Sequence, residues 1–274
     1  MVRAAYRALV LTLFLVSAAL VLSGSAAVRE VSRAPVKVLQ LNLCGSGIAG
    51  CYTGRSVTEA ATVIRAAAPD VVTLNEVCDG DVTRLERILA DVHGGGVVSA
   101  FKAAPDRRLG GGDTRCTNGM AYGVGLLART PATPGAAAVH GGIHPVQDVA
   151  DPEIRVWLCL HAIGGFYACT THLASTSSTV ALAQCRYLLE IAVPELRTRY
   201  GYQPTVVAGD LNLRYGARPD VRPCVPSGYV RFGDAGVQHI LATSDFVVSS
   251  SASIDMAGTT DHAGLLVTFT MSGV

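Results

Sequence analysis

The stretch Thr205 to Asn212, TVVAGDLN, constrains this chain more than any other. A β-branched apolar run follows Pro204 and stops abruptly at a glycine, a carboxylate and an amide. Thr205, Val206, Val207 and Ala208 predict a short buried strand, and Gly209 reads as the residue that lets the backbone turn tightly at its end. With Leu211 between them, extended backbone would put Asp210 and Asn212 on one face. The carboxylate can orient water or a cation, and the amide can donate to an oxyanion.

The pattern of an apolar strand running into a polar residue recurs through the chain. Val36 to Leu41 leads to Asn42 and the loop GSGIAGCYTG, Val71 to Asn75 leads to Glu76, and Phe166 to Thr171 leads to His172. Met120 to Ala128, Arg155 to Leu160, Val237 to Ala242 and Leu265 to Phe269 complete the predicted strands, with Asp261 and His262 just before the last. Helices fall between them. Ser56-Val57-Thr58-Glu59 reads as a capping box, followed by a stripe of Val57, Ala60, Ala61, Ile64 and Ala68 that Pro69-Asp70 stops. A second helix spans about Asp81 to His93 and ends at three glycines, and a third spans about Ser178 to Tyr200, with Pro194 kinking it or ending its first part. Residues 94–118 read as loop, with Lys102, Arg107, Arg108 and Arg115 as solvated charges, and no Gly-Lys-Ser/Thr follows Gly110-Gly111-Gly112 to make a P-loop. His140 and His144 have helical metal-pair spacing, but Gly141, Gly142 and Pro145 make them loop histidines.

Residues 1–27 have the build of a cleavable signal peptide: Arg3 and Arg7, an apolar run from Leu9 to Leu22, and Ser25-Ala26-Ala27. An uncleaved membrane anchor is the lesser reading, because the run is short against the ~20 residues of a spanning helix. Residues 28–274 then form one α/β domain, secreted and monomeric, with no obligate protein partner implied. Loss of Arg3 and Arg7 turns a formal charge of +1 into about −1, which gives no electrostatic footprint of a polyanion-binding protein. All eight cysteines lie in the mature part, an even count that points to disulfides. Cys159 and Cys169 flank a hairpin signal, and Cys44 with Cys51 would close a Gly-rich loop. That arrangement leaves Cys78 with Cys116 and Cys185 with Cys224, a connectivity that sequence does not fix. No C-x-x-C pair favours zinc instead.

Asn42, Glu76, His172, Asp210, Asn212, Asp261 and His262 thus fall at predicted strand ends or mouths. A lone Asp or His there is more often a turn or cap residue, but layered α/β folds gather strand ends on one rim. In order, LNLCG, TLNEVC, CTTHLAS, AGDLN and TTDHAGLLVTF resemble the motifs of the endonuclease/exonuclease/phosphatase superfamily, in a secreted bacterial-type form. That superfamily includes pancreatic-type deoxyribonuclease, exonuclease III, bacterial neutral sphingomyelinases and inositol polyphosphate 5-phosphatases. The resemblance implies a deoxyribonuclease I-like four-layer α/β/β/α sandwich of two packed mixed sheets, with a metal-dependent phosphodiesterase site at one end.

Carried over by resemblance, Glu76 would be the main ligand of Mg²⁺ (or Mn²⁺ or Ca²⁺), with Asn42 beside it at the metal or phosphate. Asp210 would orient or deprotonate the attacking water, and Asn212 would hold the phosphorane oxygens. His172 would hydrogen-bond the phosphate, His262 with Asp261 would contact the scissile phosphate, and Arg155 is a weaker phosphate candidate. One departure stands out. Where the family often has an Asp supporting the active-site histidine, this chain reads Val237-Gln238-His239-Ile240, so Gln238 could orient an imidazole only through an amide, or His239 could replace the role. The substrate reading places a DNA or RNA phosphodiester first, a sphingomyelin or phosphoinositide head group second, and a non-catalytic binding module third.

Overall fold

The computed structural model describes residues 34–130, 138–163, 165–216 and 218–271, all within one compact unit, Ser32–Val274. Residues 1–27, read above as a signal peptide, lie outside them. In chain order the elements are β1 (Val36–Asn42), α1 (Ser56–Ala67), β2 (Val71–Cys78), α2 (Asp79–His93), β3 (Val97–Ala103), β4 (Pro105–Asp106), β5 (Gly112–Asp113), β6 (Tyr122–Arg129), β7 (Ala138–Ile143), β8 (Val156–Ile163) and β9 (Phe166–His172). Then follow α3 (Ser178–Arg186), a π-helical turn (Tyr187–Ala192), α4 (Val193–Tyr200), β10 (Thr205–Asp210), β11 (Tyr229–Gly233), β12 (Gln238–Thr243), β13 (Phe246–Ile254) and β14 (Gly264–Met271).

The strands make two six-stranded sheets, ordered β13-β14-β1-β2-β6-β3 and β11-β12-β10-β9-β8-β7. Both are mixed in the same way: each has one parallel pair, β1 with β2 and β9 with β10, among antiparallel neighbours. A parallel pair needs a crossover, supplied by α1 in the first sheet and by the α3 to α4 stretch in the second. Leu126, Leu158, Val206, Ile240 and Phe269 pack between the sheets. The outer face of the first sheet packs Leu39, Leu41 and Leu74 against Ile64, Leu85 and Leu89 of α1 and α2. That of the second packs Cys169 and Val207 against Ala181, Leu188 and Leu196. The four-layer α/β/β/α sandwich follows from three apolar interfaces, each too extensive to leave in water.

Several local expectations change. Ser56 does not cap α1: Arg55 is the N-cap residue, no side chain caps it, and Ser56 is the first helical residue. The span read as loop over 94–118 contains β3 and the small β4–β5 hairpin, and His140 sits on strand β7. β11 and β13 were not anticipated. Helix α3 is not simply ended at Pro194. Proline offers no N–H to a carbonyl one turn back, and the chain widens into the π-helical turn just ahead of it, with Pro194 in the first turn of α4. The four bridges are those set out above, Cys44–Cys51, Cys78–Cys116, Cys159–Cys169 and Cys185–Cys224. Cys159 and Cys169 are direct cross-strand partners on β8 and β9. No helix among the described residues is long and apolar enough to cross a membrane.

Candidate active site

The two parallel pairs deliver their strand ends to one rim. Asn42 of β1 lies in register with Asn75 of β2, His172 of β9 with Asp210 of β10, and Gln238 of β12 opposite Asp210. Gly209 is extended rather than turned: a Cβ there would sit 2.0 Å from the Thr171 carbonyl oxygen, so glycine serves the close approach of β9 and β10. β2 is irregular between Leu74 and Val77, and Glu76 within that bulge has φ of +52°. Such backbone costs a non-glycine residue about 1–2 kcal/mol. The bulge re-aims the Glu76 carboxyl, and the Gly45 N–H holds the Glu76 carbonyl at 2.7 Å.

Asn42 ties the sheets together. Its Nδ2 donates to Glu76 Oε1 (2.9 Å) and Asp210 Oδ2 (3.0 Å), and its Oδ1 accepts from the Cys44 N–H (3.0 Å). The amide therefore presents nitrogen, not oxygen, to the two carboxylates. Asp210 also accepts from Gln238 Nε2 (2.8 Å) and the Asn212 N–H (3.0 Å). Behind it, buried Asn75 accepts from Gln40 Nε2 (2.7 Å) and the Asp210 N–H (2.6 Å). Every polar member of this seam has a partner, as a dry interior demands. Burial nevertheless raises the pKa of Glu76 and of Asp210, against the hydrogen bonds that pull both down.

Asn212 departs from the shared-face expectation. β10 ends at Asp210, Asn212 adopts φ of +50°, and its Nδ2 donates to the Leu173 carbonyl (2.9 Å). It still lines the same cavity as Asp210.

His172 is held in one tautomer. Arg155 donates to its Nδ1 at 2.9 Å, so the proton resides on Nε2, which faces Glu76 Oε1 at 4.0 Å. Burial first, then Arg155, holds the His172 pKa well below the usual imidazole range, so the ring acts as a neutral donor. Arg155 itself is buried, bonding Asp151 at 2.7 Å and Glu153 at 3.1 Å. Its two terminal guanidinium nitrogens are held by protein partners, while its buried Nε has none among the described residues.

His262 lies between two carboxylates, with Nε2 3.5 Å from Asp210 Oδ2 and 3.6 Å from Asp261 Oδ1. Gln238 accepts from Gln40 Nε2 through its amide oxygen (2.9 Å), so it turns its nitrogen to Asp210 and, at 3.4 Å, to His262 Nδ1. The amide thus replaces an acid as a donor, and Asp210 and Asp261 supply the charge beside the ring. His239 takes no part: it donates from Nε2 to the Leu213 carbonyl (2.7 Å) and accepts from Arg231 (3.0 Å), away from the cavity.

Glu76, Arg155, His172, Asp210, Asn212, Asp261 and His262 line one cavity of about 540 Å³, with Asn42 just beneath. Sequence reasoning missed Asp106, Arg108, Asp151, Glu153, Asn75 and Gln40. A signal existed for two: in DPEIR, Asp151, Glu153 and Arg155 alternate, which on extended backbone points them one way. The wall carries six carboxylates, Glu76, Asp106, Asp151, Glu153, Asp210 and Asp261, against two arginines, Arg108 and Arg155. Glu76 Oε2 has no hydrogen-bond partner among the described residues. Oxygen donors in excess, three of them (Glu76, Glu153 and Asp210) with pKa values raised by burial, fit a hard divalent cation.

A model of the Endonuclease/Exonuclease/phosphatase family matches residues 39–262. Among solved structures, the chain is similar to an endonuclease/exonuclease/phosphatase from Beutenbergia cavernae DSM 12333, at 20% identity over 88% of this chain and 72% of that one, with a TM-score of 0.63. It is similar to the human Nocturnin catalytic domain with bound sulfate, at 16% identity over 89% and 96%, with a TM-score of 0.65. It is also similar to ANGEL2, described as a 2',3'-cyclic phosphatase and solved with adenosine-2',3'-vanadate, at 15% identity over 87% and 96%, with a TM-score of 0.59. These likenesses are of fold. Comparison with curated proteins gives no match.

Proposed function

The chain belongs to the endonuclease/exonuclease/phosphatase family, whose members hydrolyse phosphate esters, and from that premise we propose a secreted, divalent-metal-dependent phosphodiesterase that cuts DNA or RNA by in-line attack of water. The charge of the cavity carries this reading. Six carboxylates against two arginines repel a phosphate anion unless a cation accompanies it. Export fits a chain whose eight cysteines are all paired, and the nucleotide ligand of ANGEL2 supports a nucleic acid over other esters.

Glu76, whose Oε2 has no hydrogen-bond partner among the described residues, would hold the ion, which would polarise the phosphate and neutralise its charge. The remaining work falls to this chain's own groups. Asp210 is fixed by Asn42, Gln238 and Asn212, so its carboxylate can orient the attacking water and take its proton. His172 Nε2–H can donate to a non-bridging oxygen, kept in that tautomer by Arg155. Asn212 spends one amide hydrogen on Leu173 and retains the other for the developing oxyanion. His262, beside Asp210 and Asp261, adds a second ring at the scissile group.

The test is nicking of plasmid DNA and cleavage of RNA by the oxidised protein with Mg²⁺, beside EDTA, Glu76→Ala and His172→Ala controls. Cleavage lost in all three controls is the expected result; an intact DNA and RNA substrate would end the nuclease reading. One observation favours a lipid head group as second reading: Ile48 and Leu109 are 70% and 60% exposed beside the cavity residues Ala49 and Arg108. Release of phosphocholine from sphingomyelin vesicles, with nucleic acid left intact, would select it.

A further inference from the structure

Helix α1 begins with two of its donors unspent. No side chain caps it, Thr58 and Glu59 N–H groups share the Arg55 carbonyl at 3.0 Å, and those of Ser56 and Val57 have no acceptor among the described residues. They open onto a cleft of about 150 Å³ that shares no lining residue with the catalytic cavity. Ser56 lines it at 2% exposure, and its hydroxyl has no hydrogen-bond partner among the described residues. Arg84 of α2 reaches the same wall and makes no ion pair among them, and Asn118, whose Oδ1 accepts from the Met120 N–H (3.0 Å), has its amide hydrogens to give.

A helix start concentrates roughly half a positive charge. Together with the Ser56 hydroxyl on the cavity wall and an arginine, it forms a set of donors with little to accept. Among the described residues Asp81 is the one acid on this wall, and burial raises its pKa, with Arg84 pulling the other way.

We propose that this cavity is a second oxyanion site, which takes a phosphate group on the α1 N-terminus, the Ser56 hydroxyl and Arg84. It stands apart from the reading of the catalytic cavity, yet the two lie back to back. Gly45 lines the new cavity and bonds the Glu76 carbonyl, while Ser46, next in the chain, lines the catalytic one. The occupant is either inorganic phosphate or a flanking phosphate of a polynucleotide held in the catalytic cavity.

Titration calorimetry with inorganic phosphate on the oxidised Glu76→Gln protein in EDTA reads this site with the catalytic one disabled. One bound phosphate is expected, weakened about tenfold or more by Ser56→Ala or Arg84→Gln and tightened by Asp81→Asn, with circular dichroism confirming each fold. No binding, or an affinity unmoved by both Ser56→Ala and Arg84→Gln, overturns the site whether or not the enzyme is a nuclease. On the otherwise unaltered enzyme, the same two substitutions distinguish the source. A raised KM for polymer with an unchanged small diester points to a polynucleotide phosphate, and unchanged values for both, with phosphate binding lost, point to the free ion.

Discussion

Glu153 sits against Arg155 at 3.1 Å, yet burial pushes its pKa up to about 7. A raised carboxyl pKa means that the folded protein holds the proton more tightly than the unfolded chain. The stability this contributes is fully present below the unfolded value of about 4.5 and is lost as pH rises through about 7. The loss amounts to about 3 kcal/mol if the shift is complete. Glu153→Gln, which keeps an uncharged amide, should flatten the fall in Tm between pH 5 and 8 measured in EDTA. An unchanged slope would place the titration on Glu76 and Asp210, whose pKa values are also raised. Asp210→Asn should cut kcat by about 10²–10⁴-fold with the far-ultraviolet spectrum intact; a smaller loss would remove Asp210 from proton transfer. Asp210 was legible because a buried strand ends on it. Asn75 and Gln40 were not, since their role is to satisfy Asp210 and Gln238 across the seam, and only three-dimensional pairing shows that.

Among elements, burial decides what a sequence displays. The eight interior strands of the two sheets, β14, β1, β2, β6, β12, β10, β9 and β8, all left readable apolar runs, whereas the four edge strands, β13, β3, β11 and β7, did not. An edge strand has one paired side and more exposure, so its composition drifts toward the polar; β13 reads FVVSSSASI and is exposed along most of its length. The site survives this blindness because its residues sit on or beside interior strands. Gly209→Ala tests that dependence: the new Cβ would press on the Thr171 carbonyl at 2.0 Å, so β9 and β10 must part. It should cost about 1–3 kcal/mol and lower activity by displacing Asp210; full activity and stability would show that the approach can relax. The disulfides grade by loop length. Cys185–Cys224 spans 39 residues and Cys44–Cys51 spans 7, and loop-closure entropy predicts about 4 against about 2.4 kcal/mol. Urea unfolding of the two double-alanine variants should reproduce that order, and the reverse order would mean that the short bridge acts chiefly on the folded state.

At the scale of the whole molecule, the two halves repeat one device: a parallel strand pair joined by helix, in one sheet and then in the other, with polar residues at the strand ends. The sandwich brings Asn42 and Glu76 of the first pair against His172 and Asp210 of the second. Neither half holds a site alone, which is why single motifs carried little meaning and their order carried much. The same architecture limits how the protein can grip a polyanion. With 22 basic against 21 acidic residues and six acids lining the catalytic cavity, the chain has little excess positive charge with which to release counterions. Each phosphate neutralised steepens the salt dependence by about 0.9 in the logarithmic slope. A grip through Arg108 at the catalytic mouth and Arg84 beside α1 gives a slope near −2, or roughly tenfold weaker binding between 50 and 200 mM salt. KM for a DNA duplex measured across that range at fixed Mg²⁺ should follow this shallow dependence. A slope several times steeper would relocate nucleic-acid binding from the two cavities to a basic surface outside both.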